Sequence, residues 1–114
     1  RTEKDKTISY NQVSKLSNDI GMVINTTPVG MPPYENSDLP IKWDELINLK
    51  TVINLGYGSQ NTFLDNFDHS ISRHDGLGML ICQAIESFNI WTSAGLSTSS
   101  IYGEVLNKLE SRND

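Results

Sequence analysis

The chain has one cysteine, Cys82, among its 114 residues. No disulfide can form within it, and a cytoplasmic setting is the expectation. Positive charge is scarce too: 9 Lys and Arg stand against 14 Asp and Glu, a formal net charge of -5. No basic surplus is available to neutralise phosphates, which argues against nucleic acid as a partner. No apolar run approaches the roughly 18 residues of a membrane span, so no membrane partner is expected, and no secretory pattern opens the chain. Internal repeats and low-complexity tails are missing as well. The first residue is Arg1, not Met, so the chain is expected to be processed, truncated or incomplete at its start. What is present is ordinary for a globular protein: 37% hydrophobic and 20% charged residues, enough for one small domain with a modest core.

Along the chain, "TISY" at Thr7–Tyr10 reads as a short strand, and Asn11–Asn18 as one or two helical turns. In "GMVINTT", Met22, Val23 and Ile24 form a continuous apolar run, the pattern of a strand buried on both faces. Pro28, Gly30, Pro32 and Pro33 end it in a long loop. A helix is predicted over Lys42–Asn48 with Trp43, Leu46 and Ile47 on one side. A second buried strand, "TVINLGYG", follows, then a helix over Asn61–Phe67 and a short strand near Ile71. Helices over Gly76–Trp91 and Ser100–Glu110 complete the order. Strands alternating with helices indicate an α/β fold, a Rossmann-like doubly wound parallel sheet in three α/β/α layers. Ligands of such sheets bind beyond the carboxyl ends of the strands. "NTTPVGM" and "LGYGSQNT" therefore share one rim. Their glycines and small polar residues either allow a ligand close to the backbone or simply end the strands.

The most informative run is "DGLGMLICQAIESFNIW", Asp75–Trp91. Leu77, Leu80, Ile81, Ala84, Ile85, Phe88 and Trp91 recur at helical spacing and predict a broad core face. Asp75 is a good N-cap. Gly76 permits close backbone approach where unpaired N–H groups gather. Gln83 lies seven residues on, about two turns, and so projects along nearly the same side as Gly76. It is either a polar surface residue or a binding amide, able both to donate and to accept. His69 and His74 lie near Asp65, Asp68 and Asp75, but their spacing fits no metal-ligand pattern. Cys82 belongs to an apolar helix and reads as a packed thiol.

Taken together, "RT" at Arg1–Thr2, "INTTPVGM", "INLGYG" with Thr62 soon after, and "DGLGMLICQAIESFNIW" resemble shikimate dehydrogenase, specifically the second half of its NADP-binding domain and its C-terminal helices (about 76–114). The resemblance covers most of the chain and implies reversible, NADP-dependent reduction of 3-dehydroshikimate to shikimate, a step of chorismate and aromatic amino acid biosynthesis. It assigns roles residue by residue. Arg1 matches the arginine that accepts the 2′-phosphate of NADP, with Thr2 adding a hydroxyl. Asn25, Thr26, Thr27 and Pro28 match the turn beside the dinucleotide. Leu55 matches the position whose backbone meets the nicotinamide end, and so does Gly76 at the helix start. Tyr57 and Gln83 match substrate-binding positions. Two departures occur: Asn54 stands where the family usually has Asp, and Thr62-Phe63 replaces the common Thr-Pro.

The family's catalytic lysine and aspartate belong to an N-terminal substrate domain, and its glycine-rich phosphate loop precedes the position of Arg1. Nothing in this chain matches either, so no catalytic residue is assigned here. In the order 3-2-1-4-5-6, "TISY" would be the third strand and "MVINTT" the fourth. These residues are therefore expected to form an incomplete sheet within a longer enzyme, with the missing N-terminal part as partner; a homodimer is one form that enzyme could take. Two rival readings stand beside this one: a quinate/shikimate dehydrogenase using NAD, and a non-catalytic nucleotide-binding or interaction module.

Overall fold

The computed structural model describes residues 7–58 and 60–112; Arg1 and Thr2 lie outside them. The chain divides into two compact units, whose boundary falls between Asp75 and Gly76.

The first unit is built on a parallel sheet of three strands in sequence order. They are β1 (Met22–Asn25), β2 (Thr51–Asn54) and β3 (Ser72–His74). Val, Ile and Thr dominate β1 and β2 because branched side chains suit a pleated surface. β1 and β2 run in register from Met22 opposite Thr51 to Asn25 opposite Asn54. β3 pairs with β2 from Ser72 opposite Thr51 to His74 opposite Ile53. The parallel sheet is the one expected, but the elements around it differ.

Thr7–Ser9 forms no strand, and Tyr10–Leu16 is a 3-10 helix. Local capping outcompetes β propensity there: the Gln12 carboxamide accepts the Ser9 N–H at 2.9 Å, and the Gln12 N–H donates to the Ser9 carbonyl at 2.9 Å. The helix predicted over Lys42–Asn48 shrinks to a 3-10 turn, Trp43–Glu45. The chain bends at Leu46, and the Leu49 N–H donates back to the Leu46 carbonyl. Leu49 therefore enters the core, while Ile47, expected on the packed side, is 72% exposed. The helix predicted over Asn61–Phe67 is likewise a 3-10 turn, Phe63–Asn66. Nor is β1 buried on both faces: Met22 and Ile24 are each 53% exposed, and only Val23 and Asn25 turn inward.

The core of this unit lies on the other face. Leu46, Leu49, Val52, Phe63 and Phe67 are buried together. Trp43, Phe63 and Phe67 form a three-ring cluster with centroids 5.0 to 5.6 Å apart, the Trp43–Phe63 pair edge-to-face at 88°. Arg73 of β3 reaches across to the loop before it, donating to the Leu64 and Phe67 carbonyls at 3.3 Å, with its second guanidinium nitrogen 2.7 Å from His69 Nδ1.

The second unit is a pair of helices, α1 (Leu77–Thr92) and α2 (Thr98–Glu110). Gly76, not Asp75, occupies the N-cap of α1. Ser93 ends α1 in the left-handed region, and the turn is closed by Asn89, whose carboxamide donates to the Leu96 carbonyl at 2.8 Å and accepts its N–H at 2.7 Å. Gly78 lets the helices approach: a Cβ there would stand 3.0 Å from the Tyr102 hydroxyl. The broad core face predicted for α1 is narrower than expected. Ile81 and Ile85 are buried, whereas Phe88 is 46% and Trp91 82% exposed. Neither helix is long and apolar enough to cross a membrane.

Candidate functional site

The carboxyl ends of β1 and β2 carry the two loops singled out by sequence, and hydrogen bonds tie those loops together. At the last rung, the Asn25 carboxamide donates to Asn54 Oδ1 at 2.9 Å and to the Val29 carbonyl at 3.2 Å. Its oxygen accepts the Thr27 N–H at 3.0 Å and the Thr27 hydroxyl at 2.7 Å. This is an Asx turn, the local geometry that an Asn-Thr-Thr run favours. The Leu55 N–H donates to the Asn25 carbonyl at 3.0 Å, so Leu55 can offer a ligand only its carbonyl and side chain. Further out, the Thr62 N–H donates to the Gly30 carbonyl at 2.8 Å, and the Thr62 hydroxyl to the Glu35 carbonyl at 2.9 Å.

The loops approach closely at two glycines, and at Gly30 the backbone itself demands glycine. Gly30 has φ +90°, and a Cβ on it would lie 2.6 Å from the Phe63 nitrogen. A Cβ on Gly56 would meet Met31 Sδ and Asn61 Nδ2, each at 2.5 Å. Gly58, at φ +108°, is different: among the described residues nothing beyond its chain neighbours lies within 4 Å of where its Cβ would stand. The loops are thus closed against each other at Gly30 and Gly56 and open at Gly58.

Each expected site residue of the first unit has a definite place here. Thr26 is exposed and Thr27 half-buried, with the Thr27 hydroxyl engaged inside the loop by Asn25 and the Val29 N–H. Leu55 is half-buried, and Tyr57 is 48% exposed. Thr26 and Tyr57 are thus exposed on the loops that follow the carboxyl ends of β1 and β2, the rim at which ligands of parallel α/β sheets bind. In the second unit, Gly76 is buried at the α1 N-terminus and Gln83 is exposed. The seven-residue spacing puts them along nearly one side of α1. Arg1 and Thr2 are outside the described residues.

Sequence reading passed over Asn25 as a mere match to the turn. Its burial, 3% exposed, and its four hydrogen bonds make it the organiser of the loop. The signal was the Asn-x-Thr spacing at a strand end. The carboxyl groups with shifted acidity belong to other segments. Lys42 and Ser14 hold the Glu45 carboxyl below its usual range by hydrogen bonding, and Lys42 Nζ stands 3.1 Å from it. The Ser70 backbone N–H, 2.7 Å away, does the same for Asp68. His74 Nε2 lies 2.8 Å from the Ser72 hydroxyl, and no group of three or more potential metal ligands gathers among the described residues.

This arrangement has relatives. The model of the shikimate 5′-dehydrogenase C-terminal domain matches residues 76–95. The shikimate dehydrogenase (NADP(+)) of Methanococcus vannielii is 32% identical over 109 residues, which is 94% of this chain and 38% of that protein. Among solved structures, shikimate dehydrogenase 1 from Peptoclostridium difficile aligns with a TM-score of 0.60 at 29% identity, over 81% of this chain and 36% of that one. A chorismate mutase/shikimate 5-dehydrogenase fusion protein from Clostridium acetobutylicum aligns with a TM-score of 0.60 at 26% identity, over 79% and 35%. The chain spans a little over a third of the length of these relatives. In sequence and in fold the chain thus matches the C-terminal part of shikimate dehydrogenases.

Proposed function

We propose that the protein carrying this chain is an NADP-dependent shikimate dehydrogenase. It transfers a hydride between NADPH and the 3-keto group of 3-dehydroshikimate, with a proton completing the hydroxyl of shikimate. The observation that carries this reading is the loop pair at the carboxyl ends of β1 and β2, tied through Asn25 and Asn54 and open beside Gly58. Dinucleotides bind at such a rim in parallel α/β sheets.

The roles follow the chemistry of each group. In the first unit, Thr26 and Thr27 line the dinucleotide, the first by its exposed hydroxyl and the second by holding the turn. Leu55 meets the nicotinamide end through its carbonyl. Tyr57 gives the substrate a phenolic hydroxyl from a half-exposed ring. In the second unit, Gly76 serves the nicotinamide carboxamide through its backbone, and Gln83 bonds a substrate hydroxyl. Arg1 and Thr2 serve the 2′-phosphate. NADP supplies the hydride chemistry when bound; the residues of this chain bind and orient. The lone cysteine, Cys82, accords with a reducing, cytoplasmic setting.

The test is oxidation of shikimate by the full-length protein, followed as NADPH absorbance. Turnover with NADP and shikimate is expected. No turnover, or a clear preference for NAD or for quinate, overturns the reading.

A further inference from the structure

We propose that Asn54 is a positioning residue: it acts through Asn25 to hold the Thr26–Thr27 turn in the shape that receives the cofactor. This rests on the dehydrogenase reading for its kinetic consequence, but the geometry stands on its own.

The two asparagines are opposed on the last rung of the sheet, Asn25 at 3% and Asn54 at 0% exposure. Their orientations are fixed by their partners. The Thr27 N–H reaches one terminal atom of Asn25 at 3.0 Å, and the Thr27 hydroxyl reaches the same atom at 2.7 Å. An N–H can only donate, so that atom is the oxygen. The other atom is then Nδ2, whose two hydrogens go to the Val29 carbonyl and to Asn54. The Asn54 atom that faces it, 2.9 Å away, must accept, and is Oδ1. Asn54 Nδ2 is left buried with no hydrogen-bond partner among the described residues.

Position 54 therefore contributes one thing to the loop, an acceptor aimed at Asn25. Its donor half serves no group among the described residues. Buried polar atoms are almost always paired, so an unpaired amide nitrogen is a cost kept for the sake of the oxygen beside it. Without that oxygen, Asn25 Nδ2 would have a spare hydrogen in a dry site. The Asn25 carboxamide could then rotate away from Thr27 and release the turn.

Two substitutions separate this role from simple space filling. Asn54→Leu keeps the volume and removes the acceptor; Asn54→Asp keeps the acceptor, whether the carboxyl is charged or protonated. In the full-length protein, Asn54→Leu is expected to raise KM for NADP about tenfold while kcat at saturating cofactor stays within about twofold. Asn54→Asp is expected to stay within about threefold of the wild-type KM. An unchanged KM in Asn54→Leu, or equal damage in the two variants, overturns the proposal. A second measurement is amide hydrogen exchange of Thr27 in the wild type. Protection of about a hundredfold or more is expected, and a freely exchanging Thr27 amide overturns the proposal even if Asn54→Leu does not fold. If the wild type fails to oxidise shikimate, the dehydrogenase reading falls, while the exchange of Thr27, expected to be faster in Asn54→Leu than in the wild type, still decides whether Asn54 holds the turn.

Discussion

The two units of the chain are held together in different ways. In the first, three aromatic rings and a web of buried amides meet around a small sheet. In the second, two helices share a narrow seam at Ile81 and Ile85. They leave an apolar groove of about 410 Å³ between Leu80, Phe88, Leu96, Ile101 and Leu109. The first unit has a buried aromatic and aliphatic core and hydrogen bonds that run from loop to loop, so its rim loops are tied to each other from within. The second has regular secondary structure but few fully buried side chains. A helix pair can be well formed and yet owe little to its own core, because helix propensity and a capped turn suffice for its shape.

This contrast can be broken by substitution. Phe63 is 1% exposed and central to the ring cluster. Phe63→Ala is expected to cost about 3–5 kcal/mol in denaturant unfolding, whereas Phe88→Ala in the groove should cost well under half of that. Equal losses would mean that the second unit has a core as demanding as the first. Next in size is Gly30→Ala. The backbone there is at φ +90° and the new methyl would strike Phe63, so a loss of about 2–4 kcal/mol is expected. Gly58→Ala, at φ +108° in open space, should lose only about 1 kcal/mol. If the two alanine variants unfold alike, the closed and open parts of the rim are not distinct.

Smaller effects sharpen the functional side. Gln83→Ala is expected to raise KM for shikimate several-fold, an effect on the order of 1 kcal/mol or more, with thermal stability unchanged because the side chain is exposed. An unchanged KM would make Gln83 an ordinary surface residue. The smallest effect concerns Asp68, whose carboxyl is held below its usual range by Ser70. A depressed folded value stabilises the protein above the ordinary carboxylate range, and the contribution is lost as pH falls through the folded value. Unfolding midpoints measured down to about pH 3 should therefore decline less steeply in Asp68→Asn than in the wild type.

Much of the first unit was legible from its apolar runs. "MVIN" and "TVIN" are strands because consecutive branched residues suit a parallel sheet. What failed was local. Thr7–Tyr10 has strand propensity, but the Ser9–Gln12 cap converts the segment into a 3-10 turn. Trp43, Leu46 and Ile47 have helical spacing, yet the bend at Leu46 substitutes Leu49 for Ile47 in the core. Periodicity cannot foresee such a bend over so few residues. In the candidate site, the rim loops were found because their glycines and threonines follow strands. The organising part of Asn25 was not, since it depends on Asn54, 29 residues away in sequence. In α1 the seven-residue step from Gly76 to Gln83 was readable, but the apolar stripe overstated the burial of Phe88 and Trp91.

One further consequence comes from the make-up of the Asn25 web. Its members are two carboxamides, a hydroxyl and backbone groups, without a formal charge among them. Screening by dissolved ions acts on charges, and short buried dipole contacts scarcely feel it. The turn should therefore have the same shape in dilute buffer and in molar salt. Any ionic-strength dependence in the capture of an anionic cofactor would then report charges elsewhere in the protein, not a deformation of this turn.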